Sequence, residues 1–198
     1  MKNIIFDLGN VLILFDPMKY VNENVSSEKR EKFLNVVFNS SEWLDLDKGT
    51  LSYEDAKKIF KDRLKDCGKE VDGLFEDNLY GMLKPIEKNV KILEKLKEKY
   101  KLYILSNFHK DSFETISSRY NFFNYFDGGI VSAYHNCIKP DEKIYKLLID
   151  KYNLNPTETL FIDDLEKNIL KAQELGIKTI HLIDYTKLEE ELRESKII

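Results

Sequence analysis

The chain has little cysteine, proline or glycine: 2, 4 and 8 residues among 198. Cys67 and Cys137 stand far apart and in no C-x-x-C pair, which excludes a disulfide scaffold and points to a reducing, cytoplasmic compartment. With so little Pro and Gly there is no linker, repeat or low-complexity segment. The apolar runs fall far short of the roughly 18 residues a membrane span needs. The opening, Met1 to Asp7, is one lysine and a short apolar run ended by an acid, and reads as neither signal nor transit peptide. Basic charge is not in excess. Lys and Arg number 31 against 35 Asp and Glu, a net charge of −4 and a pI near 5.6. That balance excludes nucleic acid or an anionic membrane as the main partner. No G-x-G-x-x-G, Walker A or G-x-S-x-G pattern occurs.

What is present is a globular composition. Hydrophobic residues make up 42% and charged residues 33%. A chain of this size buries roughly 70% of the surface its unfolded form exposes, so one domain, or one with an insertion, is expected.

Five short apolar runs read as buried strands: Asn3–Phe6, Leu102–Leu105, Gly129–Ser132, Thr159–Ile162 and Thr179–Ile183. Between the later runs lie amphipathic helices. Ile86, Val90, Leu93, Leu96 and Tyr100 share one helical face, as do Phe113, Ile116 and Tyr120, then Ile144, Leu148 and Tyr152, then Ile169, Ala172 and Leu175. Gly176 suits a helix C-terminus. Strict alternation from residue 86 onward predicts an α/β fold with a doubly wound, five-stranded parallel Rossmann-like sheet. The stretch from Asp16 to Leu83 has no convincing strand. It reads as helices over Glu28–Phe38, from a capping box at Ser52–Asp55 through Leu64, and over Leu74–Leu83, with a turn at Lys48-Gly49-Thr50. Residues 1–15 and 85–198 are therefore expected to form the core, and 16–84 a small all-helical cap over the carboxyl ends of the strands, where open α/β sheets bind ligands.

The candidate chemistry sits at predicted strand ends: Asp7, Ser106, and the pair Asp163-Asp164. A lone acid there is as well explained as a helix cap. Several facing carboxylates repel unless a cation neutralises them, which suggests Mg²⁺ with oxygen ligands. Lys139, before Pro140, could neutralise a phosphate or a nucleophilic carboxylate; the alternative is a solvated lysine.

Phe6-Asp7-Leu8-Gly9-Asn10-Val11-Leu12, Leu105-Ser106-Asn107, Lys139-Pro140 and Phe161-Ile162-Asp163-Asp164 together resemble the four motifs of the haloacid dehalogenase-like hydrolase superfamily, in order and in spacing. The helical stretch matches the small cap inserted between the first two. Trp43 through Ala56 resembles the cap of the epoxide-hydrolase-phosphatase and sugar-phosphatase branch, and the opening resembles bacterial α-D-glucose-1-phosphate phosphatases. The resemblance implies that Asp7 is a nucleophile forming an aspartyl-phosphate. It implies Mg²⁺ held by Asp7, the Gly9 carbonyl and Asp163, with Asp164 and Asn168 orienting the metal or its waters. Ser106 and the Asn107 amide would bind phosphate oxygens, and Lys139 would neutralise charge on the phosphoryl group.

One position departs from the pattern. Most phosphatases of that family carry a general acid–base aspartate two residues after the nucleophile, and here Gly9 stands there. Such help is typically worth about 10²–10⁴-fold. A sugar 1-phosphate, whose anomeric oxygen leaves easily, needs less of it. Asp16 is a candidate replacement, or else a turn residue before Pro17. Of the histidines, His181 reads as structural, His135 as isolated, and His109 as a surface position near the mouth of the site. Trp43 and Tyr53 read as cap–core packing or substrate contacts. The expected function is a Mg²⁺-dependent phosphatase acting on a small phosphorylated metabolite, a sugar phosphate foremost. The alternatives are a metal-independent dehalogenase or a catalytically silent ligand-binding protein of the same fold. Nothing in the sequence signals an oligomeric state.

Overall fold

A computed structural model describes the backbone of residues 1–198 and the side chains of all but residues 77–80. The strands are β1 (Asn3–Phe6), β2 (Ile13–Leu14), β3 (Lys84–Pro85), β4 (Lys101–Ser106), β5 (Gly128–Val131), β6 (Thr159–Asp163) and β7 (Lys178–His181). Five of them form one parallel sheet in the order β5-β4-β1-β6-β7. All five were legible in the sequence, with ends shifted by no more than two residues. Side chains alternate across a strand, so register decides which residues meet. Ile4 pairs with Leu102 and Leu160 and faces one layer; Ile5 pairs with Tyr103 and Phe161 and faces the other. Each layer is closed by helices, among them Lys110–Arg119, Glu142–Tyr152, Glu166–Glu174 and Leu188–Glu194.

The helix expected over Ile86–Tyr100 forms as two pieces, Glu87–Val90 and Ile92–Lys97. Lys91 keeps right-handed helical dihedrals, so this is a slackening rather than a turn. Beside it, fully buried Asn89 donates to the carbonyls of Val11 and Tyr185, two non-local bonds that periodicity does not reveal.

The segment between β2 and β3 is helical and closes a hydrophobic cluster of its own, rich in rings: Tyr20, Phe33, Trp43, Phe60 and Phe75. Helices not resolved individually in the sequence are Pro17–Asn24, Ser41–Lys48 and Gly68–Gly73. The expected helix Leu74–Leu83 starts as a π turn, Leu74–Asn78, before Leu79–Met82. The two-residue ribbon of β2 and β3 was also missed; it pairs Ile13 with Pro85 and Leu14 with Lys84 and so ties the entry of this segment to its exit.

Two local signals position it. Ser40 Oγ accepts the Trp43 amide at 3.1 Å and starts the helix Ser41–Lys48, which ends at Gly49 with φ +72°. A Cβ at Gly49 would stand 2.1 Å from the Ala133 carbonyl oxygen, so only glycine lets the helix end meet the core this closely. Beside it, Ser132 Oγ donates to the Asp47 carbonyl at 2.5 Å.

Candidate active site

Register brings the predicted residues together. Phe6 pairs with Ile162, so Asp7, one residue on, stands level with Asp163 on the neighbouring strand, and its amide donates to the Ile162 carbonyl at 2.9 Å. Asp7 Oδ1 accepts three bonds: from the Leu8 amide at 2.7 Å, Ser106 Oγ at 2.6 Å and Lys139 Nζ at 2.9 Å. Among the described residues no donor reaches Oδ2. The carboxyl is thus gripped by one oxygen and free at the other.

Lys139 is buried, with 1% exposure, and its second partner is Asp163 Oδ2 at 2.6 Å. Burial pulls its ammonium down, but Asp163 and Asp7 outweigh that and hold it above the ordinary lysine range. Asn107, expected near the phosphate through its amide, uses its side chain to fix the lysine. Its Oδ1 accepts the Lys139 amide at 2.7 Å and its Nδ2 donates to the Lys139 carbonyl at 3.1 Å. Asp163 is fully buried; Asn168 Nδ2 donates to both its oxygens, at 2.9 and 3.1 Å, and the Leu165 amide donates to Oδ1 at 2.8 Å. Asp164 Oδ2 accepts Asn10 Nδ2 at 3.3 Å, while the Asp164 carbonyl lies 3.0 Å from His181 Nε2. That contact gives His181 the structural place read for it.

The donor set suits a hard divalent cation. Asp7, Asp163 and Asp164 each offer a carboxylate oxygen within 4.8 Å of the others. Burial pushes the Asp7 carboxyl upward, Lys139 opposing it and Asp163 and Asp164 adding to it; burial and Asp163 likewise raise Asp164. One lysine does not balance three acids, and a divalent cation would. Of the expected residues, Asp7, Gly9, Asn107, Lys139, Asp164 and Asn168 line a cleft of about 320 Å³, while Ser106 and Asp163 stand directly behind it.

Asp16 lies elsewhere. It accepts the Lys19 amide at 3.0 Å, caps the helix Pro17–Asn24, and is not among the cleft-lining residues. His109 is not at the surface, as its loop position suggested, but 4% exposed. Trp43 and Tyr53 pack on its ring, and its Nδ1 lies 3.2 Å from Tyr53 Oη. Burial pushes its imidazole down to about 3, so it is neutral. The rest of the cleft wall is apolar at Phe15, Leu44, Leu83, Phe108 and Leu165, polar at Asn10, Ser112 and the exposed Lys167, and carries one further acid, Asp47. Sequence reading missed Asp47. Its only local signal was its place just before the Gly49 turn.

A family model described as haloacid dehalogenase-like hydrolase matches residues 1–176. The chain belongs to that family. Among its curated relatives is the sesquiterpene phosphatase astK of Aspergillus oryzae, 27% identical over 98% of this chain and 95% of that one. Another is the D-ribitol-5-phosphate phosphatase of Bacteroides thetaiotaomicron, 26% identical over 90% of each. Among solved structures, a family enzyme from the same bacterium, in complex with magnesium and inorganic phosphate, superposes with a TM-score of 0.74 at 28% identity over 91% of this chain and 93% of that one. This haloacid dehalogenase-like hydrolase thus shares its fold and most of its length with phosphatases. Among the described residues no helix is long and apolar enough to cross a membrane.

Proposed function

We propose that this hydrolase is a Mg²⁺-dependent phosphatase of a small phosphomonoester, with residues 16–84 as the cap over its cleft and a reducing, cytoplasmic setting. The observation that carries this reading is the asymmetric grip on Asp7: three donors hold Oδ1, and Oδ2 is left for attack on phosphorus. Asp7 would form the aspartyl-phosphate, and Ser106 and Lys139 would hold it in place. Lys139 and the Asn107 amide would meet the phosphoryl oxygens. Mg²⁺, when bound by Asp7, Asp163 and the Gly9 carbonyl with Asp164 and Asn168 behind, would supply positive charge against the phosphate. Phosphatase relatives that match nearly the whole chain support the reading.

Dehalogenase chemistry needs no metal cation, and Lys139 alone would then face the three acids Asp7, Asp163 and Asp164. For the leaving group, a sugar is the reading drawn from the motifs. The cleft wall favours a second one: Phe15, Trp43, Leu44, Leu83, Phe108 and Leu165 suit an organic group with an extended apolar face. The test is phosphate release from sugar, polyol and isoprenoid monophosphates, with Mg²⁺ and with a chelator, for wild type and Asp7→Asn. We expect Mg²⁺-dependent release that falls by at least about 10³-fold in Asp7→Asn. Binding without turnover would identify the silent protein, and metal-independent halide release the dehalogenase.

A further inference from the structure

The phosphatase reading leaves one role unfilled: the proton that the departing oxygen must receive. Position 9, two residues past the nucleophile, has no carboxyl. The described residues that line the cleft carry three carboxyls, on Asp7, Asp47 and Asp164. Asp7 is the nucleophile, and Asp164 belongs to the cation-binding cluster. Lys139 is bound to two carboxylates, Lys167 stands exposed at the edge of the cleft, and buried His109 is neutral and far too weakly basic to arrive as a proton donor. Asp47 remains, the one acid that the cap places in the cleft.

We infer that Asp47 is the general acid and base of this site, supplied by the cap in place of the carboxyl that the core lacks at Gly9. Its backbone is pinned to the core by the Ser132 hydroxyl and by the Gly49 contact with Ala133. Its carboxyl is largely buried, with Oδ1 3.4 Å from His109 Nε2, a ring nitrogen that has no hydrogen-bond partner of its own among the described residues. Among the described residues the acids that approach within 4.8 Å of one another are Asp7, Asp163 and Asp164, and Asp47 stands outside that cluster.

Burial pushes the Asp47 carboxyl up to about 7, with Asp7 adding and Lys139 opposing. An acid near neutrality can both give and take a proton. The other elements against its helix bring no competing charge to it. The turn Ser132–Tyr134 offers the Ser132 hydroxyl, which donates to the Asp47 carbonyl, while the Tyr134 phenol donates to Glu114; Arg63 of the following helix is engaged with Glu42, and Lys48 pairs with Asp45.

The step balances as follows. Asp7 Oδ2 bonds to phosphorus as the bond from phosphorus to the organic oxygen breaks. That oxygen takes the Asp47 proton, giving the alcohol, the aspartyl-phosphate and an Asp47 carboxylate. Asp47 then takes a proton from the attacking water as the bond between Asp7 and phosphorus breaks, releasing phosphate and restoring both groups.

Leaving-group chemistry tests this. An alkyl phosphate needs the proton, whereas p-nitrophenyl phosphate, whose phenolate leaves unaided, does not. For Asp47→Asn, with folding checked by thermal melting, kcat/KM for the alkyl ester should fall by about 10²–10⁴-fold. For p-nitrophenyl phosphate it should fall by less than about tenfold, since kcat/KM reports only the steps through phosphorylation of Asp7. A Cβ at Gly9 would meet nothing within 4 Å, so a side chain fits there, and Gly9→Asp in the Asp47→Asn background should restore part of the alkyl rate. Equal losses for both esters, or none, would overturn the role of Asp47 while leaving the phosphatase reading intact. Failure of the wild type to release phosphate from either ester would remove the reading and this inference together.

Discussion

The two walls of the cleft are built on opposite principles. The core wall is polar, buried and cross-linked: Asp7, Ser106, Lys139, Asp163 and Asn168 are each at most 7% exposed and each hydrogen-bonded or ion-paired to another of them. The wall opposite, on residues 16–84, offers the ring of Trp43, met from the core side by Phe15 and His109, with Asp47 as its single carboxyl among the described residues. In a low-dielectric site, fully paired charges hold one geometry because every departure leaves one of them unpaired. Aromatic contacts are broad and tolerate different shapes. The core wall can therefore fix what is done to a phosphate, and the cap wall can vary what carries it.

The largest effect should follow from breaking the core wall's balance. Lys139→Met removes the one cation that, among the described residues, Asp7 and Asp163 share. Two buried acids are then unpaired, so we expect a loss of about 3–5 kcal/mol. At roughly 2–4 °C per kcal/mol for a chain of this size, thermal melting should show it clearly. Phosphate release should disappear with it, and added Mg²⁺ should recover part of the melting temperature but not the rate. An unchanged melting temperature would mean that the lysine's ion pairs contribute little net stability.

The cap wall should respond differently, and to pH. Asp47 ionises near 7 in the folded chain against 3.8 unfolded. A carboxyl raised by folding favours the native state only while protonated. Without metal, then, stability should be full below about pH 4, fall as pH rises toward 7, and level off above it. Asp47→Asn removes that slope and should leave the protein more stable than wild type at pH 8 by about 1–3 kcal/mol, with no gain at pH 4. Urea titrations at the two pH values measure this. A variant equally affected at both would place the cost in lost contacts rather than in charge. An effect of similar size is expected where the walls meet. In Gly49→Ala the new Cβ would stand 2.1 Å from the Ala133 carbonyl, at a φ of +72° that L residues rarely adopt. We expect a loss of about 1–3 kcal/mol and a lower kcat/KM, because the turn that carries Asp47 must lift off the core.

The core wall was the legible one. Each of its residues ends a strand or follows a short motif, and parallel register gathers strand ends whatever their separation in sequence. Asp7, Asp163 and Lys139 are legible in the sequence alone. The cap wall was legible only as helix. Trp43, Asp47 and His109 meet because helix Ser41–Lys48 docks on the turn at Ser132 and Ala133, a contact about 85 residues apart that no local pattern announces. His109 read as a surface residue because it stands in a loop three residues past a strand end; the rings of Trp43 and Tyr53 pack over it. Asp16 offered a better local signal than Asp47, since it stands between the first strand and the helical segment, yet the amide of Lys19 claims it.

The smallest effect sharpens the contrast within the cap itself. Ser52 Oγ accepts the Asp55 amide at 3.1 Å and opens the helix Tyr53–Arg63, as the capping box in the sequence predicts. Ser52→Ala should cost about 1 kcal/mol, a shift of roughly 2–4 °C. The first residue of that helix is Tyr53, whose hydroxyl lies 2.5 Å from Ser112 Oγ and 3.2 Å from His109 Nδ1. Those contacts come from the core side and do not need the cap bond. If tertiary packing holds Tyr53, kcat/KM in Ser52→Ala should stay within about twofold of wild type while the melting temperature falls. If the helix start holds it, His109 loses a neighbour, the ring behind Asp47 is freed, and the rate falls with the stability. That second outcome would make the cap wall as exacting as the core wall, and would locate its order in the sequence signal at Ser52 rather than in the rings.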